Sequence, residues 1–267
     1  LEYKLSVLNK GMFDAEEIER LRQVYNKEHK REEPIPKGSP QEVWAALTRR
    51  MQENCSTGSA ECILASLMNR PKAPKEWALD RSEWLSSEDI DAVEKNYVQL
   101  FPDYEYLGAL PIDFDLKSDT GKCLISTLCS LNIKDLAAKG KHRIGVVMNT
   151  DPHDGPGQHW VAVFCDIRPE LEFPRMTYFD SYAYTPEPEI QKLMARWKEQ
   201  WTDGSMQLTY NKLRHQYRDS ECGMYCVYFH YACLLEIPME DRIPDDVMNG
   251  FRDMLFQMPK IESSDKK

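Results

Sequence analysis

The run NKLRHQYRDSECGMYCVYFH, Asn211 to His230, holds the sharpest contrast in the chain. Its first half is polar and charged. From Cys222 onward it is apolar nearly all round, through Met224, Tyr225, Val227, Tyr228, Phe229 and Tyr231 to Leu234 and Leu235. A helix of that composition is buried inside a domain, so Cys222 stands where a buried helix begins, at the end of a polar loop. The free N–H groups and positive dipole end of a helix stabilise an anion there, which favours a reactive thiol. Free cysteine is also among the most buried residue types and usually serves as a small hydrophobe. Cys226 and Cys233, inside the apolar run, fit that second reading; Cys222 does not, because Arg218, Asp219, Ser220 and Glu221 precede it. Gly223 permits close approach of backbone or substrate beside the thiol.

A cysteine nucleophile needs a histidine to take its proton, a third group to orient that histidine, and donors for the oxyanion. Upstream, His159 opens the strand-like stretch WVAVFCDI, and Asp180 closes the strand-like stretch TYFD. In an antiparallel pair those two ends lie side by side. Gln216 precedes Cys222 by six residues, near enough to fold its amide back beside the thiol.

The order His159, Asp180, Gln216, Cys222, carried by HWVAVF, YFDS and HQYRDSECG, resembles the Ulp1/adenain-type (clan CE) cysteine proteases. The blocks VVMNTDPHDGPGQHWVAVFCDIR and RHQYRDSECGMY are most similar to the polyprotein proteases of African swine fever virus and giant viruses within that family. Three ordered blocks are far more specific than a lone cysteine or histidine. The resemblance spans roughly residues 80–257 and implies roles. Cys222 is the expected nucleophile, His159 the general base and then acid, Asp180 its orienting carboxylate, and Gln216 an oxyanion donor together with the Cys222 N–H. The swine fever type carries Asn at the third position, so Asp180 is a departure toward the SUMO-protease pattern. Trp84 and Trp160 match the tryptophans that, in the family, form a narrow tunnel around substrate glycines. Facing indoles leave room for a peptide backbone and not for side chains. Either could instead be ordinary core.

The implied fold is α+β, a papain-like or adenain-like core with a central mixed sheet flanked by helices. The expected division is a helical N-terminal extension over residues 1–75 and a catalytic domain over 76–267. The implied function is a viral maturation protease that cuts structural polyproteins after small residues, at Gly-Gly-Xaa or Gly-Xaa. The alternatives are an isopeptidase for SUMO or ubiquitin-like modifiers and an inactive binding module. All four catalytic positions hold competent residues, which argues against the last.

With 267 residues, 42% of them hydrophobic, the chain can bury a sizeable core. The 44 acidic against 34 basic residues give a formal charge of -10, which disfavours nucleic-acid binding by bulk charge. The local patch Lys139, Lys141, His142, Arg143 reads as a solvated loop before a strand. No stretch is apolar for long enough to span a membrane, and the N-terminus lacks a charged start followed by an apolar core. A chain beginning at Leu1 is expected to be a processed or trimmed form. Eight cysteines in a chain this long are expected to be reduced, with Cys55 and Cys62 the pair to watch, although two unpaired thiols are expected there too. No metal and no cofactor are expected. The expected partners are a protein or peptide with a glycine-rich cleavage site and viral capsid or core proteins. The expected location is intracellular, in host cytoplasm or viral factory, with packaging in the virion.

Elsewhere, Asp14 can cap a helix through AEEIERLRQVYNKEH, and Ser39-Pro40-Gln41-Glu42 has the form of a capping box. Ser86 and Ser87 followed by acids open a helix striped with Ile90, Val93, Tyr97 and Leu100. YEYLGALPIDFD and Arg143 to Met148 read as strands, GKCLISTLCSLNIKDLAAKGK as a helix, and NTDPHDGPGQ as a loop delivering His159. EIQKLMARWKEQW and IPDDVMNGFRDMLFQM read as helices, MQLTYN as a strand and IESSDKK as a polar tail. His153 and Asp154 read as solvated, and His215 is the rival base.

Overall fold

The computed structural model describes residues 15–30, 32–51, 70–201 and 205–259. Asp14, the pair Cys55 and Cys62, and the tail from Lys260 lie outside the described residues. The chain divides into two compact units, Leu1–Lys72 with Asp253–Gln257, and Ala73–Arg252 with Met258–Lys267.

In the first unit, helices α1 (Ala15–Glu28) and α2 (Pro40–Met51) pack through Ile18, Leu21, Tyr25, Val43 and Leu47, all buried. The capping box forms: the Ser39 N–H donates to the Glu42 carboxylate at 2.8 Å and the Glu42 N–H returns to Ser39 Oγ at 3.3 Å. Between the helices Ile35 is buried and its backbone is clasped by the Asn26 amide at 2.8 and 3.0 Å.

The second unit is built on a five-stranded mixed sheet in the order β1-β2-β3-β4-β5. The strands are β1 (Tyr104–Pro111), β2 (Arg143–Asn149), β3 (Trp160–Asp166), β4 (Arg175–Phe179) and β5 (Gln207–Tyr210). The outer pairs β1/β2 and β4/β5 are parallel and the inner pairs are antiparallel. Every residue of β3 is buried, so the sheet is covered on both faces. On one face, Val161, Val163 and Cys165 join Ile190, Leu193, Met194 and Trp197 of α6 (Pro188–Gln200). Each large aliphatic side chain buried this way contributes about 1.5–3 kcal/mol. On the other face lies α7 (Cys222–Leu234), with α3 (Ser87–Leu100) beside it. Helix α7 is buried along its whole length except at Cys233, as its all-round apolar composition requires. Helix α3 opens with a reciprocal Ser86/Asp89 capping box and buries Ile90, Val93, Tyr97 and Leu100. Helix α8 (Asp245–Leu255) follows α7.

Two elements depart from the sequence expectation. The strand from Tyr104 stops at Pro111, after which residues 112–115 turn. The stretch from Gly121 to Lys141 holds two short helices, α4 (Ser126–Cys129) and α5 (Ile133–Ala138), because the Asn132 side chain caps a new start by accepting the Lys134 N–H at 2.9 Å. Cys123 and Cys129 are joined as a disulfide with Cα atoms 6.5 Å apart. That corrects the expectation of a fully reduced chain; Cys165, Cys222, Cys226 and Cys233 are free thiols. Of the basic patch, Lys139 is exposed and Lys141 and His142 are half-buried before the strand, and only Arg143 departs from a solvated loop. Arg143 opens β2 buried, paired with Asp103 at 2.7 Å and donating to the Leu234 carbonyl at 2.9 Å, so it locks the end of α7 to the sheet.

Beneath α7, His230 and Glu94 face each other at 2.7 Å with no exposure. The Tyr104 hydroxyl donates to the same carboxylate at 2.9 Å. Gly145 on β2 leaves room for this group, since a Cβ there would meet the Tyr104 hydroxyl and sit 2.9 Å from the His230 ring. The network ties α3, β1 and α7 together. Glu94→Ala is expected to destabilise the chain by about 3–5 kcal/mol, because it strands a buried polar partner. Urea unfolding of the variant measures this, and an unchanged midpoint would refute it.

Candidate active site

The three polar segments singled out in the sequence meet at the start of α7. The first limb is the loop from Asn149 to His159, which is wound on its own side chains. Asn149 Oδ1 accepts the N–H groups of Asp151 at 2.9 Å and Gln158 at 3.2 Å, and the Asp151 carboxylate accepts the Gly157 N–H at 3.0 Å. Gly157 adopts φ +80°, a left-handed conformation that favours glycine. The Thr150 N–H closes the loop on the His159 carbonyl at 2.9 Å. A loop so internally bonded delivers His159 to the head of β3 in one position.

The second limb is the turn after β4. The register pairing Ala162 with Phe179 leaves His159 and Asp180 just past the paired ends of β3 and β4. His159 Nε2 lies 2.8 Å from Asp180 Oδ1. Asp180 is fully buried, and the same Oδ1 accepts the Tyr182 N–H at 2.7 Å. Its main chain is clamped by Asn211, which stands just past the parallel strand β5. Asn211 Oδ1 accepts the Asp180 N–H at 2.9 Å and its Nδ2 donates to the Asp180 carbonyl at 2.7 Å.

The third limb, residues 211–221, is zipped onto that turn. The N–H groups of His215 and Gln216 both donate to the Ser181 carbonyl at 2.9 Å. The Ser181 hydroxyl donates to Gln216 Oε1 at 2.6 Å, and Gln216 Nε2 donates to the Arg218 carbonyl at 2.8 Å. The amide is thereby oriented, because the Arg218 carbonyl can only accept and so fixes nitrogen at that end. One Nε2 hydrogen remains for another acceptor. Glu221, buried, accepts from the Ser220 hydroxyl at 3.0 Å and from Asn249 Nδ2 at 2.7 Å, which anchors the residue before Cys222 to α8.

Cys222 is the first residue of α7, and its thiol is close enough to the His159 ring to influence the ring's proton. With Nε2 committed to Asp180, Nδ1 is the ring nitrogen left to exchange a proton with the thiol. Burial, the largest influence on the His159 proton, disfavours the charged ring, but the hydrogen bonds with Asp180 and Cys222 outweigh it and hold its pKa up at about 9. An imidazole so held carries a proton at neutral pH.

Trp160 is buried, and its indole N–H donates to the Leu85 carbonyl at 2.9 Å. Trp84, the residue before Leu85, is nearly half exposed at 44%. Gly223 fits between these parts. A Cβ there would lie 2.9 Å from Leu85 Cβ and 3.4 Å from Trp160 Cδ1, so it is a neighbouring side chain that needs the room. Gly223→Ala is expected to push the head of α7 away from Leu85. The expected cost is about 1–3 kcal/mol in stability with a loss of thiol reactivity, read by thermal unfolding and by the rate of iodoacetamide labelling. Unchanged values in both would refute the close-packing argument.

The rival bases are placed elsewhere. His215 is buried against Phe179 and Tyr225, accepts the Ile243 N–H at 3.2 Å, and is pushed toward its neutral form by burial. His153 pairs with Asp113 at 2.6 Å on the surface, where it is partnered as well as solvated. The sequence reading did not single out Ser181, Tyr182 or Asn211. The signal for the first two was their place directly after Asp180, and for Asn211 its place directly after a strand.

Among the described residues, one cluster has the composition of a metal site: Asp115 beside Cys123 and Cys129. The two sulfurs are joined, and the Asp115 carboxylate is held by Lys192 at 2.6 Å and Arg196 at 2.8 Å. Two cations on the carboxylate oppose a third, so the cluster fits an ion-paired clasp on α6 better than a metal site.

No family model matches the chain. It is 29% identical over 184 residues to a protein of Acanthamoeba polyphaga mimivirus described as a thiol protease, an alignment covering 66% of this chain and 57% of the relative. It is 34% identical over 121 residues to a cysteine protease of African swine fever virus, covering 43% of this chain and 44% of the relative. The chain thus spans about half the length of the curated relatives it matches. Its fold is similar to the crystal structure of an African swine fever virus protease, with a TM-score of 0.59 and 19% identity over 94% of this chain and 92% of that one.

Proposed function

Because the chain belongs to the Ulp1-like, clan CE cysteine proteases and is related to the African swine fever virus and mimivirus proteins, we propose that it hydrolyses peptide bonds through a Cys222 thioester. The observation that carries this reading is the convergence of Cys222, His159 and Asp180 at the head of α7, with the imidazole 2.8 Å from the carboxylate and its proton influenced by the thiol.

The chemistry follows from the placement. His159 takes the Cys222 proton, and Asp180 holds the resulting imidazolium in orientation. The thiolate attacks the scissile carbonyl, and the oxyanion that forms is met by the remaining Gln216 N–H and the Cys222 N–H at the positive end of α7. His159 then gives its proton to the leaving amine. Water, deprotonated by the same imidazole, cleaves the thioester and restores the thiol.

The substrate we propose is a viral structural polyprotein cut after a small residue, at Gly-Gly-Xaa or Gly-Xaa. Support comes from Trp84 and Trp160, which match the tryptophans that enclose substrate glycines in the resembled family, Trp160 being buried and Trp84 44% exposed. Asp180, shared with the SUMO-protease pattern, supports a second reading as an isopeptidase for ubiquitin-like modifiers. Incubating the wild type and Cys222→Ala with Gly-Gly-Xaa peptides, and with SUMO and ubiquitin carrying reactive C-termini, separates the readings. Peptide cleavage without probe labelling supports the first, and probe labelling the second. Inertness of the wild type toward all of them would refute both.

A further inference from the structure

Tyr182 touches each part of the site by a different group. Its N–H donates to Asp180 Oδ1 at 2.7 Å. Its ring lies on the His159 imidazole with centroids 4.9 Å apart and planes tilted by 35°. Its hydroxyl donates to the Arg218 carbonyl at 2.8 Å, the same oxygen that accepts Gln216 Nε2 at 2.8 Å. Tyr182 is held in this pose by the Arg214 guanidinium, 5.1 Å from its ring centroid, and Arg214 is itself tied back to the Gln216 carbonyl at 2.7 Å.

We propose that Tyr182 is a positioning residue that couples the charged pair to the oxyanion donor: its ring covers His159, and its hydroxyl fixes the Arg218 carbonyl that aims the Gln216 amide. The proposal rests on the proteolytic reading above. Residues 217–219 are exposed, and although the Tyr217 N–H donates to Asp245 at 3.2 Å and the Arg218 guanidinium pairs with Asp246 at 2.6 Å, the Arg218 carbonyl itself needs a second donor to hold its direction toward Gln216. Tyr182 supplies that anchor from the rigid turn after β4. Its two functions are separable. Phenylalanine keeps the cover and removes the anchor, whereas leucine removes both the hydroxyl and the aromatic face.

The test compares oxyanion-forming chemistry with chemistry that forms none. Alkylation of Cys222 by iodoacetamide is a displacement at carbon and needs the thiolate and imidazole but no oxyanion donor. Tyr182→Phe is expected to lower kcat on a Gly-Gly-Xaa peptide about tenfold with KM changed by less than about twofold, while the pH profile of alkylation keeps its wild-type form. In a Gln216→Ala background the same substitution is expected to cost nothing further, because the group it aims is gone. Tyr182→Leu is expected in addition to move the alkaline limb of alkylation to lower pH, since an aromatic face no longer stabilises the imidazolium. The proposal is overturned if Tyr182→Phe slows alkylation and hydrolysis in parallel, leaves kcat at the wild-type value, or costs the same factor with and without Gln216. A wild-type chain that is alkylated at Cys222 yet cleaves no peptide and is labelled by no SUMO or ubiquitin probe overturns the proteolytic reading itself, and the proposal with it.

Discussion

Cys222→Ala will abolish hydrolysis, lowering kcat on a Gly-Gly-Xaa peptide by at least about 10⁴-fold, because no other group in the cleft can form the thioester. Nothing else in the site should move. The side chain is buried at 1% exposure, alanine removes a single sulfur, and the anchors of its segment are the Glu221 carboxylate, the Gln216 amide and the Gly223 contacts, none of which uses the thiol. The unfolding temperature is therefore expected to fall by no more than about 2–4 °C, the shift that corresponds to roughly 1 kcal/mol in a chain of this size and an upper bound here. Labelling provides an internal control. Cys165 and Cys226 are free but held by burial well above the ordinary thiol range, so iodoacetamide adducts mapped by peptide at neutral pH should lose the one at residue 222 in the variant without gaining one at either. Residual turnover in the variant would move the nucleophile elsewhere.

Asp180→Asn should lower kcat by about 10²–10⁴-fold and also displace the pH profile, and the displacement is the more diagnostic part. The wild-type imidazole keeps its proton up to about pH 9, since the hydrogen bonds with Asp180 and Cys222 overcome the burial that opposes charge. The alkaline limb of kcat/KM is expected near that value, where the imidazolium needed beside the thiolate is lost. Removing the carboxylate removes a contribution that raises this pKa, so the limb must shift to lower pH. A profile that stays in place, or moves up, would show that Asp180 does not govern the imidazole. The same proton is linked to folding. A histidine raised from about 6.5 to about 9 contributes stability that is fully present below about 6.5 and lost as the pH rises through about 9. Wild-type stability should therefore decline across that window by more than that of Asp180→Asn, which denaturant titration at several pH values would record.

The site's chemistry was legible early because its members fall at element boundaries, where polar residues abut apolar runs. Cys222 ends a charged loop and begins a helix buried on all sides; His159 and Asp180 stand at the ends of strands β3 and β4, whose antiparallel pairing places them together. Such boundaries are written in hydropathy period alone. The residues that aim these groups were not legible in the same way. Ser181 acts through its carbonyl and hydroxyl, Tyr182 through its N–H, ring and hydroxyl, and Asn211 through a fork of two side-chain amide bonds, and no local spacing of polar and apolar residues announces such contacts. The stretch from Gly121 to Lys141 shows the same limit. Its apolar spacing suits a helix, yet the Asn132 cap and the Cys123–Cys129 bridge break it in two.

Order along the chain and the alternation of polar with apolar residues thus suffice for the buried helix, the strands and the identity of the four polar groups at the centre, since each follows from local spacing and from what that spacing must bury. Distances and orientations come only with the folded chain. The 2.8 Å approach of imidazole to carboxylate, the direction of the Gln216 amide and the room left beside Gly223 arise from contacts between residues tens of positions apart. No period in the sequence encodes those contacts, because they depend on how the sheet pairs and which side chains close over it.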